Sequence, residues 1–211
     1  TQVHQLDVGE CLDDAGDVQR EIRRGLERHG YDPCALNAGG DWDITSDVII
    51  NGAGSGTTFV EADVAPLVAT ERVFHVIGAT AGTALNVNIN NLTVRNGGNN
   101  IGAGVPASTG AGIRLGQGTG SSITLDNLVI SGNTAVSRGG GIAVDAPNAS
   151  TVNVTNCTIS GNTAGSALAG TAARGAGITV GTETGTLINV TNTAISGNTA
   201  LRAGGGIETT A

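Results

Sequence analysis

Four carboxylic acids are the first candidates for chemistry in the part of this 211-residue chain that follows residue 71. Two carboxylates, or a carboxylate beside an arginine, can act as general acid and base on a polysaccharide when they face the same cleft. A six-residue motif, Ile-Ser-Gly-Asn-Thr-Ala, begins at residues 130, 159 and 195, and each acid stands at a different position relative to it. The acids are Asp126, Asp145, Glu183 and Glu208. Because unrelated repeat positions do not share a face, we predict no catalytic pair and no enzymatic activity.

An acidic loop earlier in the chain has the ligand types that suit a hard cation. Asp41, Asp43 and Asp47 lie within the stretch Asp-Trp-Asp-Ile-Thr-Ser-Asp, and carboxylate oxygens are the ligands that Ca²⁺ prefers. The loop has neither the glycine nor the distal glutamate of a calcium-binding loop. We therefore interpret it as a turn-forming acidic loop and expect no cofactor, with calcium binding as the alternative.

Three arginines form the candidate binding site for an anion. Arg138 and Arg174 each precede a repeated isoleucine by four residues, and Arg202 precedes one by five. A short arginine ladder could bind an anionic glycan through paired hydrogen bonds. The alternative is that the three side chains lie over glycine-rich loops with their charged ends in water.

The charge of the chain is distributed unevenly. Residues 1–71 contain 14 acids and 4 arginines and residues 72–211 contain 4 acids and 6 arginines, so the net charge of −8 divides into −10 and +2. A chain with no basic stripe and almost no aromatic surface is not expected to bind nucleic acid. No stretch approaches the roughly 18 apolar residues of a membrane span. The first residues lack a signal-peptide pattern, so a secreted form would already be the mature chain.

Three cysteines leave one thiol without a partner whichever pair forms. Cys11 and Cys34 flank a predicted helix and could form a disulfide, or both could be free thiols. Cys157 occupies a repeat position that favours a small apolar residue. We interpret it as part of the core and not as a nucleophile.

Four segments align without gaps when the motif is extended towards its N-terminal side. They are residues 87–98, 123–134, 152–163 and 188–199. The first and third positions of each segment are apolar and the second and fourth are polar. This alternation predicts strands that bury one face.

Two columns of asparagine run through the same alignment. The first consists of Asn91, Asn127, Asn156 and Asn192, and the second of Asn133, Asn162 and Asn198. Asparagine tolerates a left-handed backbone, and its amide can bond to an identical amide about 4.8 Å away on the neighbouring strand. We therefore predict a structural ladder at two bends of a repeating coil.

A second repeated element, Gly-Gly-Gly-Ile or Gly-Ala-Gly-Ile, ends at residues 113, 142, 178 and 207. From its isoleucine to the isoleucine of the next motif the distance is always 17 residues, whereas the return distance alternates between 19 and 12. A constant half and a corner that accepts insertions predict an all-β, single-stranded parallel β-helix, that is, a solenoid. We expect it to be right-handed because parallel crossover connections almost always are.

The pairing of Gly-Gly-Gly-Ile or Gly-Ala-Gly-Ile with Ile-Ser-Gly-Asn resembles the repeats of the polymorphic outer-membrane proteins, and those of many right-handed β-helix proteins that bacteria secrete. The resemblance covers roughly residues 44–211, with Ile130, Ile159 and Ile195 in place of the phenylalanine of that family. It implies a β-helix fold and an extracellular or cell-surface location, and it is weak evidence for function.

The first forty residues are predicted to form a separate cap. Residues 16–30 place Val18, Ile22 and Leu26 on one stripe of a helix that ends at Gly30. An amphipathic helix laid over the first coil would cover the open core of a β-helix, although such a helix could also bind a partner. We therefore divide the chain into a cap, residues 1–40, and a parallel β-helix, residues 41–211.

No second cap is expected after the last repeat, at residues 204–211. An open coil that meets the first coil of another copy would give a head-to-tail filament. The sequence thus favours a secreted bacterial surface protein with a structural or adhesive role. The alternative is a carbohydrate-active enzyme, such as a polysaccharide lyase or glycoside hydrolase, or a glycan-binding β-helix.

Overall fold

The structure is a computed structural model. It describes residues 4–8, 42–62, 71–77, 83–98, 109–117, 119–145, 149–165, 173–181 and 185–209. In these ranges every regular element is a β-strand and none is a helix. In chain order the strands are β1 (His4–Val8), β2 (Trp42–Ile44), β3 (Val48–Gly52), β4 (Phe59–Glu61), β5 (Phe74–Ile77), β6 (Asn86–Asn90), β7 (Thr93–Arg95), β8 (Ile113–Gln117), β9 (Ser122–Asp126), β10 (Val129–Ser131), β11 (Thr134–Ala135), β12 (Ile142–Val144), β13 (Thr151–Thr155), β14 (Thr158–Ser160), β15 (Thr163–Ala164), β16 (Ile178–Val180), β17 (Leu187–Thr191), β18 (Ala194–Ser196), β19 (Thr199–Ala200) and β20 (Ile207–Thr209).

These strands form four sheets, and every pairing between them is parallel. Sheet A has the order β1-β3-β6-β9-β13-β17, and sheet B has the order β2-β5-β8-β12-β16-β20. Sheet C has the order β4-β7-β10-β14-β18, and sheet D has the order β11-β15-β19. From β2 onwards the chain visits sheets B, A and C in turn, and later D, before it returns to B. This repeated stacking is consistent with the predicted parallel β-helix.

Equivalent residues of successive coils lie directly beside each other. Val87 pairs with Ile123 in sheet A, and Ile130 pairs with Ile159 in sheet C. In sheet B, Ile142 pairs with both Ile113 and Ile178. The alignment read from the sequence is therefore the register of the sheets, because a shift by one residue would turn every apolar side chain outwards.

The core consists of apolar columns that run from coil to coil. Most column positions place a β-branched or leucine side chain inside, and burying one such side chain stabilises the fold by roughly 1.5–3 kcal/mol. In the first two coils the ring of Trp42 meets that of Phe74 edge to face, with centroids 6.3 Å apart. The largest fully buried side chains are Phe74, Ile89, Leu92, Ile113, Leu115, Ile123, Leu125, Leu128, Ile130, Ile142, Ile159 and Ile178.

Sheet D is a feature that the sequence interpretation missed. The sequence pattern predicted no strand at the Thr-Ala that ends each motif, but these residues are the strands β11, β15 and β19. Ala135 and Ala164 are fully buried in this sheet. The length variation between coils therefore begins only after this short strand.

At the other end of the fold, β1 extends sheet A by pairing with β3 over five residues. The predicted helix at residues 16–30 lies outside the described residues. So do Cys11, Cys34 and Asp41, and so does the predicted boundary between residues 40 and 41.

Candidate functional site

The first asparagine column forms a bend on the surface of the fold. Asn91, Asn127, Asn156 and Asn192 all adopt a left-handed backbone, with φ between 48° and 58°. Asn127 Nδ2 donates to Asn91 Oδ1 at 2.8 Å, and Asn192 Nδ2 donates to Asn156 Oδ1 at 2.7 Å. Between these pairs Asn156 Nδ2 donates instead to Asp126 Oδ1. The side-chain bonds fit the predicted ladder, with one carboxylate replacing an amide.

The second asparagine column lies inside the fold. Asn133 and Asn162 are fully buried, and the Nδ2 atom of each donates to the Oδ1 atom of the next asparagine, at 2.9 and 3.0 Å. The same Oδ1 atoms also accept from the backbone N–H of the preceding asparagine. Each rung therefore joins two coils through both side chain and backbone.

This inward position follows from the glycine that precedes each buried asparagine. Gly132, Gly161 and Gly197 have φ values of 66°, 63° and 62°. Because glycine takes the left-handed backbone at no steric cost, the following asparagine is free to turn its amide inwards. The Nδ2 atom of Asn162 then also reaches the carbonyl of Ile130 at 2.9 Å.

The outer face of sheet B carries several of the charged residues that the sequence singled out. Its central outward column consists of Asp43, His75, Arg114, Ala143, Thr179 and Glu208. His75 Nδ1 lies 3.0 Å from Asp43 Oδ1 and 3.4 Å from Arg72 Nη1. A protonated Nδ1 donates to the carboxylate and an unprotonated one accepts from the guanidinium, so the two bonds are alternatives.

Two further ion pairs on this face join neighbouring coils. Arg114 Nε donates to Asp145 Oδ2 at 3.2 Å, and Arg174 Nη1 donates to Glu208 Oε1 at 3.3 Å. Thr109 donates its hydroxyl to the same Asp145 oxygen as Arg114. This face therefore carries a network of arginines and acids. The sequence pattern did not reveal it, because the number of residues between the two partners differs from one pair to the next.

The three predicted anion-binding arginines do not form one column. Arg138 and Arg174 are partners in a parallel bridge, and the next partner of Arg174 is Ala203. Arg202 thus stands one residue away from the column, as its different spacing in the sequence already indicated. The structure brings two of the three arginines together.

The acidic loop uses its described carboxylates for structure. Asp43 contacts His75, and Asp47 Oδ1 accepts from the backbone N–H of Asn86 at 2.8 Å. No group of three or more histidine, cysteine, aspartate or glutamate residues that could hold a metal is found in the described parts of the chain. Asp41 is outside the described residues, so calcium binding by Asp41, Asp43 and Asp47 stays the alternative to the predicted turn-forming loop.

The described acids considered for catalysis lie on two sheets, and Asp145 and Glu208 share the side of sheet B, contrary to the expectation that no two acids would share a face. Asp126 is in sheet A, where it is in register with Asn90 and Thr155. Asp145 and Glu208 lie on the side of sheet B, and Glu183 is outside the described residues. Asp126 is therefore separated from the acids of sheet B by the wall of the coil.

Cys157 is part of the core, and the burial of its thiol leads to a testable prediction about reactivity. It is only 2% exposed and its Sγ donates to the carbonyl of Thr155 at 3.1 Å. Burial raises the pKa of the Cys157 thiol above its ordinary value, because the charged thiolate loses its water. We expect alkylation of Cys157 by iodoacetamide to be slow in the folded protein and fast in denaturant, as measured by peptide mass spectrometry.

The same shift gives a sign for the pH dependence of stability. In the unfolded chain the thiol loses its proton near its ordinary pKa of 9.0, whereas in the folded chain it keeps the proton to higher pH. Its contribution to stability is therefore complete below about pH 9 and lost as pH rises through the raised pKa. Cys157→Val should reduce this alkaline loss, and an unchanged alkaline profile would contradict the assignment.

Comparison with protein-family models, with curated proteins and with solved structures found no match to this chain. In the residues that the structure describes, no helix is long and apolar enough to cross a membrane. The functional argument therefore depends on the surfaces of the described coils.

Proposed function

We propose that this chain is a right-handed β-helix of the secreted bacterial type, located outside the cell or on its surface, with a structural or adhesive role. The repeat pattern that resembles the polymorphic outer-membrane proteins supports this location and handedness. The continuous stack of coils supports the mechanical role, since every coil is held to the next by parallel strands and by amide side chains. We further propose that copies associate head to tail through the coil at residues 187–209.

The observation that carries this proposal is the exposed edge of that coil. In the described residues the exposed large apolar side chains are Leu187, Val190, Leu201 and Ile207. All four belong to this coil, and Val190 is 38% exposed, whereas its partner in the preceding coil, Val154, is 1% exposed. Among the described strands, β17 to β20 each stand at the end of a sheet and have one edge that pairs with no other described strand, and such an edge is a template for further strands.

A second copy of the chain is the occupant that this edge fits. The edge follows the same column pattern as the earlier coils, so a coil of the same kind satisfies both its backbone groups and its apolar positions. A contact between different surfaces does not close on itself and extends into a filament.

The test is a pair of substitutions at neighbouring positions of β17. Val190→Asp puts a charge on the apolar edge, whereas Thr191→Asp puts the same charge on the outer face of the same strand. We expect the unmodified protein and Thr191→Asp to form concentration-dependent oligomers in light scattering and electron microscopy, and Val190→Asp to remain monomeric with an unchanged circular dichroism spectrum. A strictly monomeric unmodified protein at high concentration would overturn the proposal.

The charged face of sheet B supports a second candidate, a carbohydrate-active or glycan-binding protein. Two ion pairs between coils, Arg114–Asp145 and Arg174–Glu208, and the contact between His75 and Asp43 give this face acids and basic groups side by side. Turnover of polygalacturonate or alginate, followed by the release of reducing or unsaturated ends, would replace the structural proposal with an enzymatic one.

A further inference from the structure

The buried asparagine column joins each coil to the preceding one through a fixed set of hydrogen bonds. The Oδ1 atom of Asn162 accepts from the backbone N–H of Asn133 at 3.1 Å and from Nδ2 of Asn133 at 2.9 Å. The Nδ2 atom of Asn162 donates to the carbonyl of Ile130 at 2.9 Å. One carboxamide therefore serves two donors and one acceptor of the preceding coil.

The same set of bonds recurs in the next coil. The Oδ1 atom of Asn198 accepts from the backbone N–H and from Nδ2 of Asn162, both at 3.0 Å, and Nδ2 of Asn198 donates to the carbonyl of Ile159 at 2.9 Å. One coil earlier, Nδ2 of Asn133 donates to the carbonyl of Val94 at 3.2 Å. Each coil thus offers the following one the same two donors and the same carbonyl.

In the coil at residues 187–209 these three groups stand at an open edge. Strands β18 and β19 are the last described strands of sheets C and D. Among the described residues no hydrogen bond from the backbone N–H of Asn198 is found, and its Nδ2 atom bonds to Ile159. The carbonyl of Ile195 has the place in its coil that the bonded carbonyl of Ile159 has in the preceding one. We call the backbone N–H and Nδ2 of Asn198 and the carbonyl of Ile195 the amide socket.

We infer that the amide socket recognises a partner strand that carries a glycine followed by an asparagine, as in a further coil of the same repeat. Such a strand adds in parallel to β18 and β19. Its carboxamide oxygen accepts from both donors of Asn198, and its NH2 group donates to the carbonyl of Ile195. A carboxylate has no hydrogen to donate to that carbonyl, and an apolar side chain leaves all three groups without partners.

The residues around the amide socket define the rest of the partner pattern. Ile195 is in register with Ile159 and is only partly buried, so an isoleucine three residues before the partner asparagine continues this column. Gly197 has a φ of 62°, a left-handed backbone that glycine adopts without steric cost, and the partner needs the same corner. Ala200 is in register with Ala164. The expected partner pattern is therefore Ile-x-Gly-Asn-x-Ala.

This recognition rests on the proposed role of the coil 187–209 as a docking edge, and it adds which strand the edge selects. The exposed apolar side chains Val190 and Ile207 favour any strand of suitable shape. The amide socket instead distinguishes one polar side chain from another, because the wrong side chain leaves desolvated groups unpaired.

The first experiment measures binding of a fluorescent peptide to the full chain by anisotropy, at protein concentrations below those that give oligomers. The peptide has blocked termini and the sequence of residues 187–200, which contains β17, β18 and β19. In the peptide, Asn198→Asp removes the NH2 donor. The matched control is Asn189→Asp in the peptide, which makes the same change in a side chain that is exposed on the outer face of β17.

We expect Asn198→Asp in the peptide to weaken binding about tenfold or more, the effect of unpaired buried groups. Asn189→Asp should weaken it less than about threefold, because water replaces a partner lost at the surface. Equal effects of the two changes, or no binding by the unmodified peptide, would overturn the inference. So would equally tight binding by a scrambled peptide of the same composition, which would indicate a general apolar contact.

The outcomes separate the amide socket from head-to-tail association. A chain that stays strictly monomeric but binds the peptides with the expected preference would refute the association and support the socket. A chain that forms oligomers but binds the unmodified and Asn198→Asp peptides alike would support the association and overturn the socket.

Hydrogen exchange followed by nuclear magnetic resonance gives a second readout at the socket itself. The backbone N–H of Asn162 is bonded to Oδ1 of Asn198 and is the internal control for the open N–H of Asn198. In the free chain we expect Asn198 to exchange about tenfold faster than Asn162 or more. Saturation with the unmodified peptide should slow Asn198 about tenfold and leave Asn162 unchanged. Equal protection of the two groups in the free chain, or no slowing in the complex, would overturn the inference.

Discussion

Replacing Asn162 with alanine is expected to lower the free energy of unfolding by about 3–5 kcal/mol, a large fraction of the stability of a single domain. The side chain is fully buried and makes four hydrogen bonds. Alanine removes the acceptor that Asn162 offers to the backbone N–H of Asn133 and the donor that it offers to the carbonyl of Ile130, both inside the fold. Each such buried group costs about 1–3 kcal/mol. Urea unfolding followed by circular dichroism measures the loss.

The control is the same substitution in the exposed column. Asn156 bonds to Asp126 and accepts from Asn192 at the surface, where water replaces lost partners. Its left-handed backbone costs alanine about 1–2 kcal/mol, so Asn156→Ala should be clearly less destabilising than Asn162→Ala. Equal losses from the two variants would show that the buried amides contribute no more than the bend.

Gly141→Ala is the second variant with a large expected effect, a loss of about 3 kcal/mol or more. A Cβ atom at this position would lie 2.6 Å from the carbonyl oxygen of Gly177 and 3.1 Å from Nδ2 of Asn162. The contact is with the backbone of the next coil, which cannot move without lengthening the strand pairing of sheet B. Thermal unfolding should show a lower midpoint and, if the coils separate, a loss of β-sheet signal at room temperature.

Gly161→Ala separates this crowding from the ordinary effect of removing a glycine. Gly161 has a φ of 63°, and no atom lies within 4 Å of an added Cβ. Alanine should therefore cost only the strain of a left-handed residue, about 1–2 kcal/mol. If Gly141→Ala were as mild as Gly161→Ala, the coils would have to be less tightly stacked than the structure indicates.

Much of the fold could be predicted because the repeat reports the same environment several times. Positions such as Ile130, Ile159 and Ile195 read alike since each fills the same place in successive coils, and their register in sheet C is the one that the alignment predicted. The two asparagine columns were visible for the same reason. Their different roles were not, because the burial of Asn133 and the exposure of Asn127 depend on which side of the bend each amide faces.

The charged residues were harder to predict, since they occur at irregular positions. Asp43 and His75 are 32 residues apart, and Arg174 and Glu208 are 34 apart. Such pairs carry no periodic signal, because the loops between coils differ in length. Only the parallel pairing of sheet B brings these residues onto one face.

The sequence by itself determined the repeat, its strands, their register and the residues that fill the core. It could do so because the period-two alternation of apolar residues and the 17-residue spacing between the two isoleucines recur in successive coils. The tertiary structure decided three further properties: that Thr-Ala forms a fourth sheet, that one asparagine column is inside, and that acids and arginines far apart in the sequence pair across the coils of sheet B. These properties depend on which residue of the neighbouring coil lies beside each side chain. The stacking of the coils, and not the local sequence, decides which residue that is.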